Sequence, residues 1–447
     1  MPIDVLHVPY TYFPDAAGGT EIYVAGLAAA LRHEGMESAV AAPAERDFAY
    51  DHDGIRVYRL AGESLPQLEH AYGRPDHRVA ESFRDLIARL KPKIVHLHAH
   101  TAGVSEQLVD ISHEAGAKVV FTYHSPTVSC ARGTMIRLGR SPCDGRLERR
   151  RCTACVLQRH GVGPLVRDMI AHMPPAIGCQ LGRAGLAGNI FTVLRMPSLI
   201  GALHHRFTEL MRKADLIVAV CVWVQEALRL NGAPDEKLVL CRQGLSRPSH
   251  LPVPVEPDRR RSQGPRPLHL GFFGRVDPTK GLDILIDALR LIPHAPARLD
   301  IYGIRQPGSE AYFRRLQQIA AHDSRIAFRP ALPPDAVGES MRRCDLVGVP
   351  SRWLETGPLV VLEAFDAGTP VLGARRGGIA ELVSEGRDGI LVSPEDPAAW
   401  AGTIAALAEA PQRVASLRGG IRPPRSMDDV AQEMSRLYRQ LLGHAEG

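Results

Sequence analysis

Short runs of apolar residues alternate with stretches of helical periodicity along both halves of the chain. The first run, 5–8 (VLHV), is followed by apolar residues at helical spacing from Val24 to Leu31. Such runs are typical of buried strands, and a recurrence every three to four residues is typical of helices. The predicted strands are 5–8, 94–97, 118–123, 216–220, 238–240, 268–273, 298–302, 346–349, 370–373 and 389–392. This alternation predicts an α/β protein with parallel, doubly wound sheets.

A proline-rich stretch separates two series of strands. Residues 247–267 contain six prolines and no apolar periodicity, which is typical of a linker. A long surface loop within one sheet is the alternative. We expect a first domain over 1–246 and a second over 268–425, with a cleft between them where strand ends hold ligands. A final helix is predicted over 426–447.

Composition places the chain among ordinary globular proteins. Of 447 residues, 45% are hydrophobic and 23% are charged, which argues against disordered, collagen-like and coiled-coil classes. The net charge of +5 is small, and the densest basic runs, 146–151 and 259–261, lie in predicted loops, so no nucleic-acid partner is expected. The sequence shows no signal-peptide pattern and no apolar stretch long enough to span a membrane, which favours a cytoplasmic protein.

The segment 350–381 carries the richest candidate chemistry. Glu355 and Glu363 are eight residues apart, with Gly357 and Pro358 between them, and proline favours the first turn of a helix. The free amides of such a turn attract phosphate. Carboxylates beside a phosphate pocket suit the binding of sugar hydroxyls. Because the neighbours of Glu363 are mostly apolar, its charge needs a partner or a ligand.

Four segments, in this order, resemble a known family. They are 18–31 (GGTEIYVAGLAAAL), 271–289 (GFFGRVDPTKGLDILIDAL), 350–372 (PSRWLETGPLVVLEAFDAGTPVL) and 377–392 (GGIAELVSEGRDGILV). Together they resemble the retaining glycosyltransferases of GT-B fold, in particular glycosyltransferase family 4 (group 1). The resemblance implies two Rossmann-like domains facing a cleft, with the acceptor in the first and a nucleotide sugar in the second. It also implies that the final helix packs back onto the first domain.

The resemblance assigns roles to individual residues. Arg275 and Lys280 match the cations that bind the donor diphosphate, and Glu355 matches the carboxylate beside the donor sugar. His124, which follows a predicted strand, matches a histidine near the reaction centre. These four are the expected catalytic residues. The expected donor-binding residues are Gly18, Gly19, Gly274, Gly357, Pro358, Leu359, Val360 and Glu363.

The implied reaction moves a glycosyl unit from a nucleotide-sugar donor to a hydroxyl of a glycan, lipid-linked or small-molecule acceptor. Fixed cations stabilise the leaving diphosphate, so no cofactor and no metal are expected for the chemistry. No carboxylate pair spans the expected centre as in retaining glycosidases, which favours attack from the leaving-group face. The alternatives are a nucleotide-sugar epimerase or hydrolase of the same fold, and a metal-binding regulatory protein with an inactive cleft.

Two loops depart from the family pattern. Where the family often has a glycine-rich turn, this chain has GIRQPGSE at 303–310. In a later turn, Pro330 stands where the family usually has a glycine. Because the resemblance places both loops near the nucleotide base, the identity of the base stays open. The segment 161–210 mixes apolar residues with arginine and histidine. Buried helices are the simpler interpretation, and peripheral contact at the inner membrane face, suited to a lipid-linked acceptor, is the alternative.

Four of the eight cysteines are concentrated in an expected insertion at 127–160. Cys130, Cys143, Cys152 and Cys155 follow the spacing C-x12-C-x8-C-x2-C. A terminal C-x2-C with two nearby thiols suits a tetrahedral zinc site that holds an irregular loop. An iron–sulfur cluster uses the same four thiolates. Disulfides and free thiols are the remaining alternatives.

Three histidines alternate at the end of one predicted strand. His96, His98 and His100 can therefore share one face of the sheet. A metal site of three imidazoles is one interpretation. A cleft wall without metal is the simpler one.

Overall fold

The computed structural model describes residues 3–15, 18–63, 68–246, 266–306 and 308–443. The chain divides into two compact units: unit 1 comprises 1–246 with 427–447, and unit 2 comprises 247–426. Each unit contains a largely parallel sheet with helices, as the alternating pattern predicts. The predicted linker, 247–267, lies outside the described residues except for its last two positions.

Unit 1 is built on an eight-stranded sheet. The described strands are β1 (Val5–Val8), β2 (Ser38–Ala44), β3 (Phe48–His52), β4 (Ile55–Ala61), β5 (Ile94–Leu97), β6 (Lys118–Tyr123), β7 (Ile136–Arg137), β8 (Ser141–Pro142), β9 (Leu216–Ala219) and β10 (Leu238–Leu240). The sheet order is β10-β9-β6-β5-β1-β2-β4-β3, and neighbouring strands are parallel except for β3 and β4. The short strands β7 and β8 form a separate hairpin.

The helices of unit 1 come from most of its length and from the far end of the chain. They are α1 (Gly19–Leu31), α2 (His77–Leu90), α3 (Glu106–Glu114), α4 (Arg149–Arg159), α5 (Pro164–His172), α6 (Pro175–Arg183), α7 (Asn189–Lys213), α8 (Val222–Leu230) and α16 (Met427–Leu441). Helix α16 packs against α1, and Val430, Met434 and Tyr438 share one buried cluster with Leu27. The last helix therefore completes the core of the first unit.

Unit 2 is built on a six-stranded parallel sheet. Its described strands are β11 (Leu268–Arg275), β12 (Ala297–Ile304), β13 (Ile326–Arg329), β14 (Leu346–Val349), β15 (Val371–Ala374) and β16 (Gly389–Val392). Its helices are α9 (Leu282–Leu291), α10 (Glu310–Ala320), α11 (Pro334–Arg342), α12 (Leu359–Asp366), α13 (Gly377–Leu382), α14 (Pro397–Glu409) and α15 (Pro411–Gly419). The sheet order is β13-β12-β11-β14-β15-β16. Since β11 and β14 are neighbours, the loops that follow them begin at one edge of the sheet.

All ten predicted strands are present, with ends shifted by two residues at most. The sequence did not predict β2, β3, β4, β13 or the two short strands β7 and β8. The first of these is rich in alanine, and β3 is largely exposed at the edge of the sheet, so neither shows the apolar run of a buried strand. No helix among the described residues combines the length and apolar character needed to cross a bilayer.

Candidate functional site

Two loops of unit 2 carry the predicted catalytic residues other than His124. Arg275 ends β11, Lys280 ends a short helical turn before α9, and Glu355 lies between β14 and α12. Gly281 follows Lys280 with a φ of +70°, and a Cβ there would lie 2.1 Å from the carbonyl oxygen of Pro350. Glycine is therefore required for the two loops to approach this closely.

Lys280 forms an ion pair with the buried Glu355. The Lys280 Nζ is 2.6 Å from Glu355 Oε1, and the Ser351 hydroxyl donates to the same oxygen at 2.7 Å. Burial disfavours the charge of Glu355, but the Lys280 charge and these hydrogen bonds outweigh it and lower the pKa of the carboxyl group. Glu355 is therefore ionised at neutral pH. An ammonium group has three N–H donors, so Lys280 can also bind an anion.

Trp353 contacts both predicted diphosphate-binding cations. The Lys280 Nζ lies 5.0 Å from the indole centroid, and the guanidinium carbon of Arg275 lies 5.9 Å from it. Both distances are within the range of cation–π attraction. One ring thus holds two positive side chains in the same place. Trp353 is not among the site residues predicted from the sequence, because it belongs to no spacing with an obvious chemical meaning.

Two arginines anchor the loop that carries Trp353 and Glu355. Arg352 donates to both carboxylate oxygens of Asp283 on α9, at 2.6 and 2.7 Å. The buried Arg376 pairs with Glu395 at 2.7 Å and also donates to the carbonyl oxygen of Arg352. Bidentate contacts between arginine and carboxylate fix geometry as well as adding energy. The loop is therefore held in place without any ligand.

The start of α12 offers backbone amides near this loop. The helix begins at Leu359, directly after Gly357 and Pro358, and no side chain caps it. The first amides of a helix have no intrahelical acceptor, so those of Leu359 and Val360 are suited to an anion. This start agrees with the position predicted from the proline.

Gly274 and Glu363 complete the predicted donor residues of unit 2. Gly274 has a φ of +147° at the end of β11, a conformation that side chains rarely adopt. Glu363 lies within α12 and is mostly buried. Burial, followed by the nearby charge of Asp366, raises the pKa of Glu363. In the described part of the chain no salt bridge joins Glu363 to a cation, in agreement with the raised pKa.

In unit 1, Gly18 caps α1 and Gly19 is its first residue. The Gly18 amide donates to Glu21 Oε2 at 2.9 Å, and a Cβ on Gly18 would lie 2.6 Å from that oxygen. Glu21 is buried, which raises the pKa of its carboxyl group although backbone hydrogen bonds act in the opposite direction. A carboxyl group, absent from the sequence-based site, thus occupies this helix start. It suits hydroxyl groups better than phosphate, because like charges repel.

His124 follows β6 and is buried in unit 1. Its Nε2 lies 2.9 Å from His98 Nδ1, its Nδ1 lies 3.3 Å from Gln243 Nε2, and its ring centroid is 4.6 Å from that of Tyr23. Burial lowers the pKa of His124 to about 3. The ring is therefore neutral at physiological pH, and both of its nitrogens have protein partners. This environment does not suit a free general base.

Hydrogen bonds link His124 to further imidazoles. In this orientation of the Gln243 amide, its Nε2 donates, so His124 carries its proton on Nε2 and donates it to His98. His98 then donates from Nε2 to His7 Nδ1 at 3.0 Å. Burial lowers the pKa of His7 to about 3, and burial with neighbouring imidazoles lowers that of His98 well below its usual value. The chain is therefore neutral, with one tautomer at each ring.

The structure groups His96 and His98 with His7 rather than with His100. Ring nitrogens of His7, His96 and His98 lie within 4.8 Å of one another. His96 Nδ1 is also bonded to the Tyr438 hydroxyl at 2.6 Å, and His100 Nδ1 is bonded to a backbone carbonyl at 3.0 Å. Each of these rings makes at least one hydrogen bond within the protein, whereas the buried Nε2 atoms of His7 and His100 have no partner among the described residues. We interpret the group as a largely hydrogen-bonded interior wall.

The four clustered cysteines of unit 1 line one cavity. Cys130 follows the turn Pro126–Val128, Cys143 follows β8, and Cys152 and Cys155 lie one turn apart on α4. All four are partly buried free thiols. In the described part of the chain, no three of these sulfur atoms lie within 4.8 Å of one another.

Two family descriptions match successive parts of the chain. Residues 18–175 match the family described as "Glycosyl transferase 4-like domain", and residues 256–419 match "Glycosyl transferases group 1". The first match contains Gly18, His124 and the clustered cysteines. The second contains every predicted donor residue of unit 2.

Curated relatives carry the name D-inositol 3-phosphate glycosyltransferase. The relative from Thermobispora bispora is 32% identical over 218 residues, which cover 46% of this chain and 51% of the relative. The relative from Pseudarthrobacter chlorophenolicus is 25% identical over 413 residues, which cover 88% and 83%. The match to the Thermobispora relative thus spans about half of that protein's length, and the match to the Corynebacterium efficiens relative spans 37%.

Solved structures share the fold. Sucrose-phosphate synthase from Thermosynechococcus elongatus aligns with a TM-score of 0.67 and 19% identity, over 99% of this chain and 100% of its own. Anabaena HepE in complex with UDP aligns with a TM-score of 0.65 and 19% identity, over 98% and 100%. These similarities confirm the predicted GT-B fold class with two Rossmann-like domains.

Proposed function

Since this chain belongs to the group 1 type of glycosyltransferase family 4, we propose that it transfers a glycosyl unit from a nucleotide sugar to an acceptor hydroxyl, with retention of anomeric configuration. The observation that carries the proposal is the grouping of Arg275, Lys280 and Glu355 around Trp353 in unit 2. Two cations with one carboxylate leave a net positive charge, which suits a diphosphate attached to a neutral sugar.

The donor residues have distinct roles in this proposal. Arg275 and Lys280 bind the diphosphate, Glu355 accepts hydrogen bonds from sugar hydroxyls, and Glu363 binds the ribose. The bond between the anomeric carbon and the phosphate oxygen breaks, and the two cations stabilise the negative charge that develops on the leaving group. The acceptor oxygen bonds to the anomeric carbon from the same face, and its proton passes to the phosphate oxygen. No divalent metal is needed for this step.

We assign the acceptor to unit 1. The carboxyl group of Glu21, at the start of α1, can accept hydrogen bonds from an acceptor hydroxyl. His124 contributes as a neutral, hydrogen-bonded wall rather than as a proton carrier, because burial lowers its pKa to about 3.

Nucleotide binding tests the donor site. Thermal shift with UDP, GDP, ADP, dTDP and their sugars should reveal one clear stabiliser, since a ligand of the native state raises the melting temperature. UDP and UDP-glucose come first because structures of Anabaena HepE contain them. Arg275→Ala should abolish the shift. Arg290→Ala, which removes an exposed arginine of α9, is the matched control and should retain it. A shift that survives Arg275→Ala would contradict the assignment.

Product analysis tests the reaction. NMR of the product should show the anomeric configuration of the donor. Inversion would contradict the proposed mechanism. Free sugar or an epimer formed from the donor alone would favour the hydrolase or epimerase alternative.

We further propose that unit 1 contacts an anionic membrane surface through the segment 159–190. Half of the large hydrophobic side chains exposed in the described part of the chain lie within it, and we call these residues the apolar patch. The apolar patch consists of Leu165, Val166, Met169, Ile177, Leu186 and Ile190. Leu165 is 87% exposed and Ile190 is 74% exposed. The segment also carries three arginines and a single acidic residue, so its charge complements anionic headgroups. Such a contact would suit a lipid-linked acceptor.

Vesicle sedimentation tests this contact. The protein should sediment with vesicles that contain phosphatidylglycerol and much less with phosphatidylcholine alone. A variant with Leu165→Asp and Met169→Asp should lose the interaction, whereas Leu230→Asp, at an exposed apolar position of α8, should keep it. Absence of binding to both vesicles would overturn the proposal. A dimer that the double variant abolishes would instead assign the apolar patch to a second copy.

A further inference from the structure

We propose that Cys130, Cys143, Cys152 and Cys155 bind one zinc ion that fastens the loop after β6 to α4. The four thiols come from three separate pieces of chain and line a single cavity. Zinc prefers four thiolates in a tetrahedron, and structural sites of this kind hold irregular loops. The metal site does not depend on the proposed transfer reaction.

Hydrogen-bond donors point at two of the four sulfur atoms. The backbone amide of Leu138 donates to Cys155 Sγ at 3.1 Å, and the Arg151 guanidinium donates to Cys143 Sγ at 3.3 Å. In known metal sites, hydrogen bonds made to the ligand atoms orient the ligands towards the metal.

The surrounding backbone needs an external constraint. Met135 and Leu138 adopt left-handed conformations, with φ of 51° and 50°, at the two ends of β7, and the hairpin of β7 and β8 has only two residues in each strand. Bulky side chains rarely occupy this region, and such residues persist only where the surrounding structure holds them. Two-residue strands cannot do so alone. A metal that joins Cys143, after the hairpin, to α4 would supply the constraint.

The cysteine spacing favours zinc over a disulfide within α4 and over an iron–sulfur cluster of the bacterial type. Cys152 and Cys155 are three residues apart on α4, where Cβ atoms are about 5–6 Å apart. A disulfide needs about 3.5–4.5 Å. Iron–sulfur proteins of the bacterial type use successive C-x2-C spacings, whereas this segment has one. Around zinc, sulfur atoms lie about 3.8 Å from one another, given a bond of about 2.3 Å, so the four thiols must draw closer together on binding.

The zinc site would stabilise two functional regions at once. Cys130 lies six residues after His124, and the carbonyl of the intervening Val128 accepts a hydrogen bond from His100. Helix α4 packs against α5 and α7, which carry most of the apolar patch. Loss of the metal should therefore loosen this side of unit 1 while leaving unit 2 intact.

Metal analysis of the purified full-length chain tests the proposal. We expect close to one zinc per chain in the wild type and in Cys179→Ser, which replaces an exposed cysteine outside the group and is the matched control. Cys152→Ser should retain little zinc. Because this variant can also fail to fold, the wild type should be stripped with a strong chelator and reloaded with Co²⁺. Tetrahedral cobalt thiolate absorption in the visible range should appear.

Each other outcome overturns the zinc assignment. Iron with acid-labile sulfide and a brown chromophore would show an iron–sulfur cluster. A mass two hydrogens lower, with no metal bound, would show a disulfide. Four thiols that react freely with a thiol reagent in the metal-free wild type, without cobalt absorption on reloading, would show that no metal site exists.

Discussion

Replacing Lys280 with methionine should destabilise unit 2 in a way that depends on pH. Methionine keeps an unbranched apolar side chain beside Trp353 but removes the cation that pairs with Glu355. Glu355 is buried, with only 7% of its surface exposed. Two outcomes are then open to the carboxyl group. It stays charged and buried without a partner, or it takes up a proton.

The less costly outcome sets the magnitude. Removing one partner of a buried ion pair costs about 3–5 kcal/mol. Protonating a glutamate with an ordinary pKa of 4.5 costs about 3.4 kcal/mol at pH 7, since each pH unit corresponds to about 1.4 kcal/mol. We therefore expect Lys280→Met to lower the free energy of unfolding by about 3 kcal/mol at pH 7. At pH 5 the protonation cost falls to about 0.7 kcal/mol, so most of the loss should disappear.

Urea denaturation followed by tryptophan fluorescence measures this loss, because Trp353 and Trp400 both lie in unit 2. Each unit should be fitted with its own transition. Adding Glu355→Gln to Lys280→Met should restore most of the stability at pH 7. Lys93→Met is the control, since it removes an exposed pair with Asp4 and should cost about 0–1 kcal/mol at both pH values.

Two results would refute the reasoning. One is an equal loss of stability at pH 5 and pH 7, which would mean that the charge of Glu355 does not cause it. The other is a double variant no more stable than Lys280→Met alone.

Three further predictions concern backbone, pH and a buried hydroxyl. Gly281→Ala should lower the free energy of unfolding by at least about 1 kcal/mol, because φ is +70° and a Cβ would lie 2.1 Å from a carbonyl oxygen. The control Gly386→Ala has a similar φ but open space around the Cβ, so it should lower this free energy by less. Equal losses in urea denaturation would contradict the close approach at Gly281. Burial lowers the pKa of His7 from 6.5 in the unfolded chain to about 3 in the folded protein. The contribution of its neutral ring to folding stability is therefore complete above pH 6.5. It falls as the pH drops towards 3, by up to about 1.4 kcal/mol per pH unit. His7→Asn should flatten this part of the stability–pH curve, and an unchanged slope would argue against a buried neutral ring. Tyr438→Phe removes the hydroxyl bonded to His96 and should cost about 1–3 kcal/mol in urea denaturation, whereas wild-type stability would show that the bond contributes nothing.

The sequence predicted the parallel strands well for a physical reason. A strand buried on both faces is mostly apolar, so 216–219 and 346–349 stand out as short apolar runs. The exposed edge strand β3 contains tyrosine, aspartate and histidine and therefore has no such signature. Its place in the sheet depends on pairing with β4, which is an interaction between segments rather than a property of one of them.

The candidate site was only partly accessible from the sequence. The family motifs pointed to Lys280 and Glu355, and the structure brings these residues into contact across 75 positions. The roles of Trp353 and Glu21 emerge only when two pieces of chain meet, because neither residue belongs to a spacing with an obvious chemical meaning. Likewise, the alternation of strand histidines did not include His7, which comes from the neighbouring strand β1.

The position of α16 has a consequence for biosynthesis. Its side chains complete the core of unit 1, yet the ribosome adds them only after all of 247–426. At about 5–20 residues per second, that interval is on the order of ten to forty seconds. During this time the nascent first half exposes the apolar surface of α1 and the His96 Nδ1 that Tyr438 later binds, which makes it a substrate for chaperones. Translation speed through the second half should therefore influence the yield of folded protein.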